Sequence, residues 1–113
     1  MTDKAKKYLS DIHLAVTRIE EFLVDIDSFS TYESDLKTQS AVERQLVIIG
    51  EAINKLNKLN EVQLDYSDQI IAFRNRLVHA YDGIDNSIVW VILQKYLPML
   101  RDEISRLIEM MKD

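Results

Sequence analysis

Apolar residues recur at three- and four-residue intervals along most of the chain, the period of an amphipathic helix. Ala5, Leu9, Ile12, Val16, Ile19, Leu23 and Ile26 predict a first helix from about Asp3 to Asp27. The segment Ser28 to Ser34 breaks that pattern with Ser and Thr, and a second helix is expected from about Asp35 to Leu59, with Val42, Leu46, Ile49, Ile53 and Leu56 on its main face. Val47 and Ile48 lie off this face, so the second helix belongs at the centre of the fold or at a subunit contact. Gly50 costs about 1 kcal/mol in a helix interior relative to alanine, which predicts a close approach of another backbone there. Arg44 and Glu51, two turns apart, are placed to pair with groups on a neighbouring helix.

A third helix is expected from about Ser67 to His79, ended by the Asp82-Gly83 turn signal. Asp85 or Asn86 supplies an N-cap for a fourth, which runs to about Lys112. Its first half, Ile88 to Leu93, is apolar all round and should be buried on several sides. Pro98 should kink it near Gln94, whose carbonyl loses its partner. The 113 residues amount to one domain, and two glycines, one proline and 47% apolar residues leave little room for the turns of a β-sandwich. The expected fold is all-α, an antiparallel bundle of four to five helices.

The chemistry begins where the third stripe is interrupted. Ile70, Ile71, Phe73, Leu77 and Val78 define an apolar face, and Arg74 falls near its middle, where a charge must be paired or kept wet. If the helix runs on unbroken, Asn75 and His79 lie one turn apart on one flank, and Tyr81 returns close to the azimuth of Arg74. One reading is structural: Arg74 forms an internal ion pair, His79 sits favourably at a helix C-terminus and Tyr81 packs under the turn. The other is cleavage of RNA without a metal, in which the 2′-hydroxyl attacks the adjacent phosphorus and the 5′-oxygen leaves. His79 can exchange protons near neutral pH. Arg74 can grip two phosphate oxygens and stabilise the transition state, Asn75 can orient the phosphate or the imidazole, and Arg76 is a further phosphate contact. One chain supplies one histidine to this segment, and a two-fold homodimer with facing third helices would supply two to a shared cleft.

The net charge of −5 argues against broad, non-specific binding to nucleic acid, so any such contact must be local, at Arg74, Arg76 and His79. The absence of cysteine excludes disulfides and thiolate metal sites. His13 has no partner motif and reads as structural or solvated. Glu20-Glu21 and Asp102-Glu103 point about 100° apart on their helices and read as solvated faces. No metal site, no cofactor and no glycine-rich phosphate loop is expected. Trp90, Tyr96 and Phe73 fall at core-like positions and form no stacking platform. No signal-type run follows Met1, and Ile88 to Leu93 is far shorter than the ~20 residues of a membrane span, so a soluble, cytoplasmic protein is expected.

The segment Arg74-Asn75-Arg76-Leu77-Val78-His79-Ala80-Tyr81 resembles the Arg-x4-His-x-Tyr motif of HEPN-domain ribonucleases, specifically the HepT-like toxins of HEPN/MNT toxin-antitoxin pairs. Glu43 to Ala52 is similar to the second-helix signature of that family. Gly83-Ile84-Asp85 through Ile88-Val89-Trp90 and on to Leu97-Pro98 is similar to its fourth helix. The likeness covers the chain from about residue 40 onward; before that it extends only to helical character. It implies a helical homodimer whose cleft cleaves RNA without metal. Arg74 and His79 would be the catalytic pair, Asn75 the polar helper, and Tyr81 the residue adenylylated by a partner nucleotidyltransferase antitoxin. AMP on Tyr81 would set a phosphodiester beside Arg74, in competition with the RNA backbone. Two rival readings stand beside this one. In the first the chain is a non-catalytic docking and dimerisation partner of the nucleotidyltransferase; in the second the toxin and antitoxin roles are reversed.

Overall fold

The computed structural model describes residues 1–80 and 83–112. Every regular element among them is helical: α1 (Asp3–Phe22), α2 (Phe29–Glu33), α3 (Leu36–Leu59), α4 (Ser67–Val78), α5 (Asn86–Val91), a π-helical turn (Ile92–Tyr96) and α6 (Leu97–Met111). The expected all-α bundle is what the chain forms.

Helix α3 is the hub. On one side it packs along α1, which also meets α6, and on the other it packs along α4. Between α1, α3 and α6 lies a dry core in which Leu9, Ile12, Ile19, Ile49, Ile53 and Ile104 are completely buried. The start of α1 is fixed twice. Thr2 Oγ1 accepts from the Ala5 N–H and donates to Glu61, whose carboxylate also accepts from the Thr2 N–H at 2.8 Å.

The ends of the elements depart from the periodicity in instructive ways. Helix α1 stops at Phe22, five residues before the expected Asp27, and turns through Leu23 and Ile26. Asp25 and Asp27 would have placed negative charge on the negative end of the helix dipole, with no basic residue in the last turn to offset it. Inside the expected break, Phe29–Glu33 closes a short helix capped by Ser28, whose hydroxyl accepts from the Thr31 N–H. Tyr32 is fully buried against the Trp90 ring, 5.6 Å between centroids. Buried Gln39 donates to the Tyr32 and Glu33 carbonyls at 2.9 and 2.8 Å and accepts from Asn86 at 3.3 Å, tying α2, α3 and α5 together.

Asp35 caps α3, and the helix ends at Asn60 with φ 56°, a left-handed position that asparagine tolerates. Ahead of Pro98 the helix passes through a π turn that contains Gln94. Pro98 has no N–H to offer the Gln94 carbonyl, and the neighbouring Leu97 N–H reaches back five residues to Ile92. The Ile88 to Leu93 stretch is less enclosed than its composition predicts: Val89 and Leu93 are buried, whereas Val91 is half exposed. No described helix is long and apolar enough to cross a membrane.

Candidate functional site

Helix α4 is the edge element, and its backbone lies close to α3 alone. Asn57 on α3 donates to Ser67 Oγ at the start of α4, 3.1 Å away. Seven residues further along each helix, in antiparallel register, Gly50 meets Arg74. A Cβ built on Gly50 would lie 2.6 Å from Arg74 Cγ and closer still to Arg74 Cβ. The glycine therefore answers a close approach, as its helix-interior position predicts, and the approaching group is the stem of Arg74.

The stem is thus packed against α3 in the middle of the apolar face. Its guanidinium curls outward, and Nη1 donates to Asn75 Oδ1 at 2.6 Å. No carboxylate pairs with Arg74 among the described residues. Its Nε is buried without a hydrogen-bond partner among those residues. An unsatisfied buried donor costs about 1–3 kcal/mol, a local penalty of the kind that collects at functional sites.

Asn75 binds the side chain of Arg74 and the backbone of His79. Its side-chain oxygen takes the Arg74 guanidinium, and its backbone carbonyl accepts the backbone N–H of His79 at 3.1 Å, the bond that closes the last turn of α4. In this structure the Asn75 amide orients the arginine. Adjacent residues on a helix do not ordinarily face each other, and only the outward bend of the long arginine side chain makes this pair possible.

His79 is the C-cap of α4 rather than its last helical residue, with φ −106° and ψ 19°, and its side chain is exposed. The helix ends at Val78, so the unbroken helix from which the azimuth of Tyr81 was projected does not form. Tyr81 itself lies outside the described residues. Arg76 is exposed on the neighbouring flank. The site is thus an Arg74–Asn75 clamp and an exposed imidazole at the open end of one helix, with a second guanidinium beside them. Such a set can bind an anion and move a proton.

The other candidates from sequence resolve simply. His13 is exposed, and no group of His, Asp and Glu side chains among the described residues could hold a metal ion. Of the acidic pairs, Glu20 and Asp102 both engage Arg101, and Glu103 accepts from the Asp65 N–H. Arg44 and Glu51 form no ion pair among the described residues. Phe73 is buried, while Trp90 and Tyr96 are half-buried and stack on Tyr32 and Tyr66.

A family model described as ribonuclease HepT-like matches residues 12–107, nearly the whole of this bundle and all of α4. The chain belongs to the HepT-like ribonuclease family. Within this family, it is 36% identical over 104 residues to a protein of Thermococcus cleftensis named probable ribonuclease HepT, covering 90% of this chain and 94% of the relative. A protein of Methanocaldococcus jannaschii that carries an RNase designation in its name is 31% identical over 103 residues, 88% of this chain and 92% of its own length. No solved structure matches the chain with significance. The match begins within α1, so the family relation extends across the N-terminal third, where the motifs themselves carry no signal.

Proposed function

We propose that this HepT-like chain is an endoribonuclease toxin that cuts RNA without a metal, using Arg74 and His79 at the cleft of a two-fold homodimer. The observation that carries the reading is a guanidinium seated against α3 and held by Asn75, with an exposed imidazole five residues further on at the end of the same helix, in a chain of a ribonuclease family. In the proposed step the 2′-oxygen attacks phosphorus while the His79 imidazole of one protomer removes its proton. The bond from phosphorus to the 5′-oxygen breaks, and the protonated His79 of the second protomer returns a proton to the leaving oxygen. The products are a 2′,3′-cyclic phosphate and a 5′-hydroxyl. Arg74 stabilises the charge that grows on the non-bridging oxygens.

Two copies are required because each chain brings one histidine to α4. Val78, next to His79 and 49% exposed, offers apolar surface for a second copy to cover. The partner is a nucleotidyltransferase antitoxin that adenylylates Tyr81, and the added phosphodiester silences the nuclease by competing for Arg74.

Induction in a growing cell tests the reading. Wild type arrests growth and fragments RNA, Arg74→Ala and His79→Ala do neither while keeping a native circular dichroism spectrum, and Tyr81→Phe stays toxic when the nucleotidyltransferase is co-expressed. Intact RNA with every form, alongside retained nucleotidyltransferase binding, would replace the enzyme with a docking module.

A further inference from the structure

Two charged residues of α3 take no part in the core or in the site built around Arg74. Arg44 is exposed and Glu51 half-buried, and neither forms an ion pair among the described residues. They are seven residues apart, two turns of helix, and so lie within about 20° of each other in azimuth. Both are on the side of α3 turned away from the buried row Val42, Leu46, Ile49, Ile53 and Leu56. Val47 lies one turn from each of them. It is half-buried, yet it stands outside both the core and the partly buried side chains packed against that core. On α4, Val78 is one turn beyond Arg74 and 49% exposed. The antiparallel register of the two helices, marked by Asn57 with Ser67 and by Gly50 with Arg74, sets Val78 level with Leu46 and Val47. One face of α3 and α4 thus carries two valines at one level, with a cation one turn before them along α3 and an anion one turn after.

We infer that a second copy of this chain docks on that face, held in register by reciprocal Arg44–Glu51 ion pairs. The inference rests on the two-fold homodimer proposed above and names the surface that builds it. A two-fold axis that crosses α3 between Val47 and Ile48 turns the helix end for end. Arg44 then stands opposite the partner's Glu51, and the same rotation sets Glu51 opposite the partner's Arg44. The order cation, valine, anion is self-complementary only in this antiparallel sense; a parallel pairing would set like charge against like. The valines fall near the axis, where water is excluded, and the ion pairs fall toward the rim.

The same axis serves the site. Arg74 is level with Gly50, within one turn of the axis along α3, and His79 directly follows Val78. Rotation therefore brings both guanidinium groups and the ends of both α4 helices to one cleft. Each copy carries a net charge of −5, so two copies repel at a distance and their contact needs opposite charges placed locally. Ion pairs at an exposed rim contribute little affinity. What they set is register and choice of partner, as flanking charges do in a coiled coil.

Charge exchange tests this on the full chain, read by sedimentation equilibrium and by RNA cleavage, with each variant checked for a native circular dichroism spectrum. Wild type should be a dimer. Arg44→Glu sets carboxylate against carboxylate in both pairs, and Glu51→Arg sets cation against cation. Each variant alone should dimerise at least ~100-fold more weakly, because like charges juxtaposed across an interface are strongly unfavourable, and should lose cleavage with the dimer. Mixed in equal amounts, the two variants restore opposite charges in both pairs, and dimer and cleavage should return together. A monomeric wild type, single variants that dimerise as wild type does, or a mixture that stays monomeric overturns the inference. Dimers that form in wild type and in the mixture but cut no RNA leave the docking face standing and remove the nuclease reading. Cleavage by a wild-type dimer that is indifferent to both charge changes does the reverse.

Discussion

Helix α3 meets α1 on one side and α4 on the other, and the two contacts follow different rules. On the α1 side the core is made by Leu9, Ile12, Val16 and Ile19, all with essentially no exposure. Against α4, helix α3 presents a glycine at mid-helix, and what fills the space is the stem of an arginine. Six residues of α1 are buried, whereas α4 buries only Ser67, Ile70 and Phe73 and has no side-chain N-cap. One contact is optimised for burial. The other gives up burial and a saturated donor in order to hold a cation at a set place, the trade expected where local rules are broken for function.

Substitutions on the two sides should separate these roles. In the core, Ile53→Ala leaves a void at a fully buried position and should cost about 2–5 kcal/mol in a denaturant melt. Cleavage of RNA by the molecules that remain folded should be unchanged. Across the helix, Gly50→Ala gains about 1 kcal/mol of helix propensity but forces α3 and α4 apart at Arg74. Overpacking of this kind costs about 1–3 kcal/mol, and here cleavage should fall together with the melting temperature.

Asn75→Ala removes the clamp without touching the core. Thermal stability should be nearly unchanged, while cleavage drops about tenfold, the value of one hydrogen bond to a charged group. The smallest effect is expected at Asp35, whose carboxyl is held below its usual range by the Thr38 N–H and hydroxyl. A lowered folded pKa means that the contribution is present above the unfolded value, near pH 3.9, and is lost as pH falls through the folded one. Melting temperatures measured at pH 7, 5 and 3 should therefore fall less steeply for Asp35→Asn than for wild type.

The core stripe of α1 is legible in the sequence, because an uninterrupted run such as Leu9, Ile12, Val16 and Ile19 has one physical meaning. The α4 side was legible in part. The misplaced charge at Arg74 and the costly glycine at Gly50 were each visible, but periodicity within one helix cannot show that two irregularities on different helices are the two halves of one contact. Spacing alone assigns Asn75 to the phosphate or the imidazole and not to Arg74, because a neighbouring residue on a helix normally points elsewhere.

The helix ends were hidden for a different reason. Phe22 ends α1 through a local charge conflict that hydrophobic spacing ignores, and Phe29–Glu33 is too short to show a period. Gln39, a polar residue at a core position, was the signal that could have revealed α2, since a buried amide has to find carbonyls to satisfy it.

The account turns on Arg74 and His79 acting together on a phosphodiester, and analysis of the RNA end groups tests this most directly. Wild type, Arg74→Ala and His79→Ala, each checked for native fold, are incubated with a defined RNA in EDTA. The account predicts 2′,3′-cyclic phosphate and 5′-hydroxyl ends from wild type, and rates at least ~100-fold lower from either variant. Equal cleavage by all three proteins, or wild-type products with 3′-hydroxyl and 5′-phosphate ends, would contradict it.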